Sequence, residues 1–201
     1  MPKFTETEKE KIRTALLEQG REIFSRYGLR KTSVEDITRA VNIAKGTFYS
    51  FYTTKEELFL IIFSQVNEEM QGRIMEAFTA SKKGPRKRLY DALQMQYAFI
   101  DEHPIFQILM DKEELEQLFR KFPQAGPQLQ SFFEDDNYIP FVEQLKDMGI
   151  IRKNLETNHV VGLLKAVFLI HQRKQDFSPE QFQYVFNTHL KLVIDYIAPE
   201  E

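Results

Sequence analysis

The sequence predicts an all-α protein: a three-helix N-terminal head followed by a larger helical body, about nine helices in all. Three observations carry this. Between residues 31 and 58, Val34, Ile37 and Val41 recur at helical spacing beside two cap signatures and a turn residue. After Thr54, apolar residues keep helical spacing nearly to the end of the chain. The interruptions in that pattern fall at glycine and proline clusters, where helices stop.

The first helix is expected over 7–27, with Ile12, Leu16, Ile23, Phe24 and Tyr27 as its buried stripe. Gly20 leaves room for a close neighbour, and Gly28 should end the helix in a left-handed conformation. Ser33 and Asp36 have the spacing of a capping box for the second helix. Asn42 follows where the chain must turn, and Asn tolerates a left-handed backbone better than any residue but Gly. A helix of about two turns, from Lys45 to near Phe51, comes next. The fourth helix opens at Thr54, which has capping-box spacing to Glu57, and runs over 55–80 with Leu58, Phe59, Ile62, Val66 and Met70 inward.

Ser81 to Pro85 breaks that helix, and a fifth follows over 86–102 until His103-Pro104. A sixth is expected over 105–122, stopped by Pro123. A seventh runs from Gly126-Pro127 to Met148, with Pro140 kinking or splitting it. The last two, over 157–174 and 179–197, are the most hydrophobic pair. Ser178-Pro179 forms the cap and first turn of the final helix. Apolar residues on more than one face of this pair imply burial on two sides, as deep core or against a second copy of the chain.

Composition narrows the function classes. With 201 residues, 42% hydrophobic and 28% charged, the chain is ordinary for a globular protein and can bury a good core. Having no cysteine excludes disulfides, thiolate metal sites and cysteine nucleophiles, and fits a reducing cytosol. The four histidines are scattered without metal-ligand spacing, and no Gly-rich phosphate loop is present. No cofactor and no enzymatic activity is therefore expected. The charged first residues lack a signal-peptide core, and the longest apolar runs are too short to span a bilayer. A cytoplasmic protein without a membrane partner is the expectation.

Net charge is −3, yet residues 9–55 hold ten Lys and Arg against five acids, a local +5 that leaves −8 elsewhere. A basic head on an acidic body suits a protein that meets phosphate at one end. Two compact helices around a tight turn, the second opening with a cation, a glycine and a threonine, describe a helix-turn-helix that reads double-stranded DNA.

Residues from about Leu16 to Leu58 resemble the DNA-binding head of TetR-type transcriptional regulators. The resemblance rests on Ile23-Phe24 before Gly28, Thr32-Ser33-Val34 with Asp36-Ile37, Lys45-Gly46-Thr47-Phe48-Tyr49, and Lys55-Glu56-Glu57-Leu58. It implies a homodimeric bacterial regulator with a DNA-binding domain over 1–53 and a helical effector-binding and dimerisation domain over 54–201. Three positions depart from the family pattern. Asn42 replaces the commoner turn glycine, Ala44 stands where Ser or Thr often caps the recognition helix, and Phe51 stands where His or Tyr is frequent.

Candidate DNA contacts follow from chemistry. Lys45 can donate to guanine or to phosphate, Gly46 lets the backbone approach, and Thr47 offers a hydroxyl and a methyl. Tyr49 can reach phosphate, while Ser33 and Lys55, each at a helix start, should hold flanking phosphates. Phe48 and Tyr52 are expected in the core of the head.

A small, largely apolar effector would meet Phe63, Met70, Met95, Phe99, Phe106, Met110, Tyr138, Phe168 and His171, although the same side chains equally make an ordinary core. A homodimer through the last two helices would use Leu164, Phe168, Phe182, Phe186, Leu190 and Val193. The expected function is a repressor that binds a palindromic operator and is released by its effector. A DNA-binding architectural or protein-controlled regulator without an effector is the alternative.

Overall fold

The computed structural model describes residues 4–80, 82–126, 129 and 135–200, and among them there is helix and no strand. The helices are α1 Glu6–Lys31, α2 Val34–Val41, α3 Lys45–Phe48, α4 Lys55–Ala80, α5 Pro85–Glu102, α6 Pro104–Met110, α7 Lys112–Lys121, α8 Asp135–Asp147, α9 Thr157–Gln172 and α10 Pro179–Ile197. A single 3₁₀ turn, Lys174–Asp176, lies between the last two.

Caps fix most of these ends. Thr5 and Glu8 close a reciprocal box at the start of α1, Ser33 and Asp36 at α2, and Ser178 and Gln181 at α10. At α4 the duty is divided. Thr54 accepts the Glu57 N–H at 3.1 Å, while the Glu57 carboxylate reaches past it to the backbone N–H of Thr53.

Two expectations are corrected. Residues 105–122 form two helices, because Asp111 is extended and its carboxylate caps α7 through the Glu114 N–H at 3.0 Å. Of the predicted stripe on α1 only Leu16 and Phe24 are buried: Ile12 and Ile23 are half-buried, and Tyr27 is half exposed, with the Arg26 guanidinium 5.4 Å above its ring. Gly28 breaks the helix with φ 78° and ψ 169°, and one more turn follows to Lys31. The seventh predicted helix is seen as α8 with Pro140 inside it, and most of 127–134 lies outside the described residues.

The chain packs as two compact units, Met1–Met70 with Ile100–Gln128 and Gln71–Phe99 with Leu129–Glu201. The first has Leu16, Phe24, Ile37, Phe48, Leu58 and Phe59 fully buried, with Phe24 and Phe59 edge to face at 5.6 Å. Gly20 permits this packing: a Cβ there would lie 3.0 Å from Ile62 and 3.1 Å from Leu58, so α1 and α4 approach across it. Polar groups add a second tie, Arg21 pairing with Glu69 at 3.0 Å.

In the second unit, Tyr97, His171, Phe182 and Phe186 form one ring cluster, with the Tyr97–His171 centroids 4.7 Å apart. Burial holds the Tyr97 phenol well above the usual tyrosine range, so it stays protonated. Lys146 is buried and donates to Thr157 at 2.5 Å and to Glu143 at 3.1 Å, which joins α8 to the start of α9. Arg152 donates its backbone N–H to the Ile197 carbonyl and its Nε–H to that of Ala198, closing the C-terminal end of α10.

Candidate nucleic-acid interface

The reading element is built from three local decisions. The Ser33 hydroxyl accepts the Asp36 N–H at 3.1 Å and donates to the Asp36 carboxylate at 2.6 Å, fixing where α2 begins. The Ser33 hydroxyl, and after it the Ser33 backbone N–H that donates to the same carboxylate at 2.9 Å, hold the Asp36 carboxyl below its usual range. At the other end, Asn42 is left-handed with φ 57° and ψ 47°. Its N–H still returns to Arg39, and the Ile43 N–H to Thr38 at 3.0 Å, so the turn leaves few backbone donors idle.

Ala44 then occupies the N-cap of α3 and supplies no side-chain cap. The α-helical part of α3 is Lys45–Phe48 alone, with turn hydrogen bonds carrying the chain on to Tyr52. That is shorter than the two turns expected. A single turn has little aligned dipole, so DNA binding here falls to side chains rather than to a helix end.

Phe48 anchors the segment. It is fully buried and meets Tyr49 edge to face at 5.4 Å and Tyr52 at 5.8 Å. Tyr52 is buried as well, whereas Tyr49 is 49% exposed. Lys45 and Gly46 are exposed and Thr47 half-buried, so Lys45, Gly46 and Tyr49 stand open on one short segment. The Lys45 ammonium is ion-paired with Glu35 in the first turn of α2. Each raises the charged population of the other: Lys45 is pushed up and Glu35 held down by their hydrogen bond.

Lys55 differs from its expected role. Its ammonium turns inward and donates to the carbonyls of Leu29 and Thr32, each at 2.6 Å. The side chain is only 15% exposed, and desolvation lowers its pKa. It ties the start of α4 to the α1–α2 junction, and those carbonyls occupy the donors that a phosphate would need.

Sequence reading passed over Glu35, Lys31 and Arg39. Lys31 and Arg39 line a surface cleft of about 340 Å3 with Ile23, Tyr27, Thr32 and Asp36. The excess of cations over 9–55 was the available signal for both.

The candidate effector residues fall into both compact units. Phe63, Met70, Phe106 and Met110 belong to the first, where Phe63 and Phe106 are buried edge to face at 5.3 Å. Met95, Phe99, Tyr138, Phe168 and His171 belong to the second, with the Arg73 guanidinium 5.3 Å over the Phe99 ring. Of the candidate dimer residues, Phe186 and Leu190 are buried inside their own chain, while Leu164, Phe168, Phe182 and Val193 are half-buried. The apolar side chains left open on α9 and α10 are Leu169, Tyr184, Leu192 and Tyr196.

Comparison with known proteins agrees with the head and the fold. The sequence profile of the bacterial regulatory proteins of the tetR family matches residues 16–62. The HTH-type transcriptional regulator YhgD of Bacillus subtilis is 35% identical over 66 residues, covering 33% of this chain. That match spans about a third, 35%, of the relative's own length. The HTH-type transcriptional repressor KstR2 of Mycobacterium tuberculosis is 24% identical over 201 residues, 94% of each chain. Among solved structures, a TetR-family regulator from Mesorhizobium loti superposes with a TM-score of 0.69 at 16% identity, over 98% of this chain and 100% of that one. A left-handed turn between two helices, the first capped by Ser33 and the second anchored by the buried Phe48, is matched by that profile, so residues 16–62 are similar to the bacterial regulatory proteins of the tetR family, and the all-helical fold is like that of the Mesorhizobium loti regulator.

Proposed function

We propose that the chain represses transcription by binding a palindromic operator as a homodimer, and that a small, largely apolar effector releases it. The observation that carries the DNA reading is the open Lys45–Gly46–Tyr49 surface, held up by the fully buried Phe48. Lys45 addresses a base edge or phosphate, Gly46 lets the backbone come close, and Tyr49 offers its hydroxyl.

Dimerisation is supported by the exposed Leu169, Tyr184, Leu192 and Tyr196, large apolar side chains on two adjacent helices. A two-fold dimer would set two reading segments about 34–36 Å apart, the spacing of successive major-groove faces. The half-buried Met95, Phe99 and Phe168 support an apolar effector in the second unit. An effector that prefers one conformation of the dimer would weaken operator binding by its differential affinity, about 1–3 kcal/mol. Among the described residues no helix is long and apolar enough to cross a membrane, which fits a cytoplasmic regulator.

Selection of bound sequences from random DNA by the purified protein tests the reading. A palindromic consensus is expected, and its absence would overturn the proposal. Lys45→Ala and Tyr49→Ala should each weaken binding to that site by about 1–3 kcal/mol with the fold intact. Thermal melting against a panel of hydrophobic compounds tests the effector. No shift with any of them would favour regulation without one.

A further inference from the structure

The junction between α1 and α2, residues 28–32, is gripped from two directions. On one side, Lys55 of α4 donates to the carbonyls of Leu29 and Thr32. On the other, Glu114 of α7 accepts the backbone N–H of Arg30 at 2.7 Å, and the adjacent Glu113 pairs with the Arg30 guanidinium. Gly28 makes the second grip possible. A Cβ there would lie 2.7 Å from the Glu114 carboxylate, and φ at that residue is +78°. Asp111 in turn fixes Glu114, since its carboxylate caps the Glu114 N–H at 3.0 Å. All of these residues lie in the first compact unit.

Within these five residues the carbonyls of Leu29 and Thr32 are therefore bound by one helix and the N–H of Arg30 by another. They also set the direction in which α2, and α3 after it, leave α1. A shift of α7 against α4 would pull on opposite sides of the same short segment, and α7 itself carries none of the candidate DNA contacts. We propose that Glu114 is a positioning residue for DNA reading, through which α7 sets the pose of α2 and α3. This rests on the DNA-binding function proposed above and assigns its regulation to a named contact.

The test compares two DNAs. Glu114→Ala removes the acceptor, while Glu114→Gln keeps one oxygen and drops the charge. On the palindrome enriched by the wild-type chain, Glu114→Ala should bind on the order of 5-fold more weakly. On unrelated DNA of the same length its affinity should stay within about 2-fold, because phosphate attraction does not depend on the pose of the reading segment. Exchange of the Arg30 amide proton should accelerate, and Glu114→Gln should recover most of the operator affinity.

A wild-type chain that enriches no site would count against the function itself. A wild-type chain that does, with Glu114→Ala binding the palindrome equally well or losing both DNAs alike, overturns the positioning role. Should the alanine variant melt below the assay temperature, Glu114→Asp, one methylene shorter, gives the same readout. Full operator affinity in that variant would likewise overturn the proposal.

Discussion

The α1–α2–α3 region and the α9–α10 pair are stabilised in different currencies. The first is settled by polar groups at fixed short spacings: Ser33 with Asp36, left-handed Asn42, and Lys55 and Glu114 on the backbone of 28–32. The second is settled by how much apolar surface each side of a helix buries. On α10, Phe186, Leu190, Ile194 and Ile197 are buried, while Tyr184, Leu192 and Tyr196 on the same helix are open, Tyr184 to 74%. Polar junctions thus specify geometry, and apolar helices specify only that something covers them.

Phe186→Ala breaks that contrast most severely. It should cost about 3–5 kcal/mol in chemical denaturation, since a fully packed ring leaves a cavity among Tyr97, His171 and Phe182. If the proposed homodimer forms through these helices, the paired change Leu192→Glu with Tyr196→Glu should instead leave helix content intact while sedimentation moves from two copies to one. Equal loss of fold in both variants would erase the distinction between core and open face.

Gly28→Ala should cost about 1–3 kcal/mol, because its backbone lies where L side chains rarely go. Adding Glu114→Ala should return only the steric part of that loss. Ser33→Ala is the mildest, about 1 kcal/mol for a lost cap. It also has a pH signature. The folded Asp36 carboxyl sits below its ordinary 3.8, so its stabilisation is complete above that value and is lost as pH falls through the lowered one. Denaturation curves below about pH 4 should therefore be flatter for Ser33→Ala than for the wild-type chain.

The same contrast explains what was legible in the sequence. α4 and α10 were readable to the residue, because Thr54, Glu57, Ser178, Pro179 and Gln181 mark their starts chemically. Asn42 was readable for the same reason. The split at Asp111 was available but passed over: an Asp with Glu114 three residues on is itself a start signal. By contrast, the inward turn of Lys55 depends on carbonyls 23 to 26 residues away, which local spacing does not reveal. Helical spacing placed Phe186 and Leu190 among apolar neighbours, but which face of α10 lies against its own chain is decided by tertiary packing. Tyr27 left the α1 stripe because the helix breaks at the next residue.

The buried ammonium of Lys55 also bears on how association with DNA responds to salt. A cation that neutralises a phosphate releases condensed counterions, and log affinity falls with log salt by about 0.9 for each such contact. An ammonium already bound to the carbonyls of Leu29 and Thr32 releases none. For Lys45 to release its share, through the phosphate contact proposed above, it would first have to part from Glu35. The ion count displaced on binding is therefore smaller than the ten cations between residues 9 and 55 would suggest, and operator affinity should fall less steeply with salt than that charge implies.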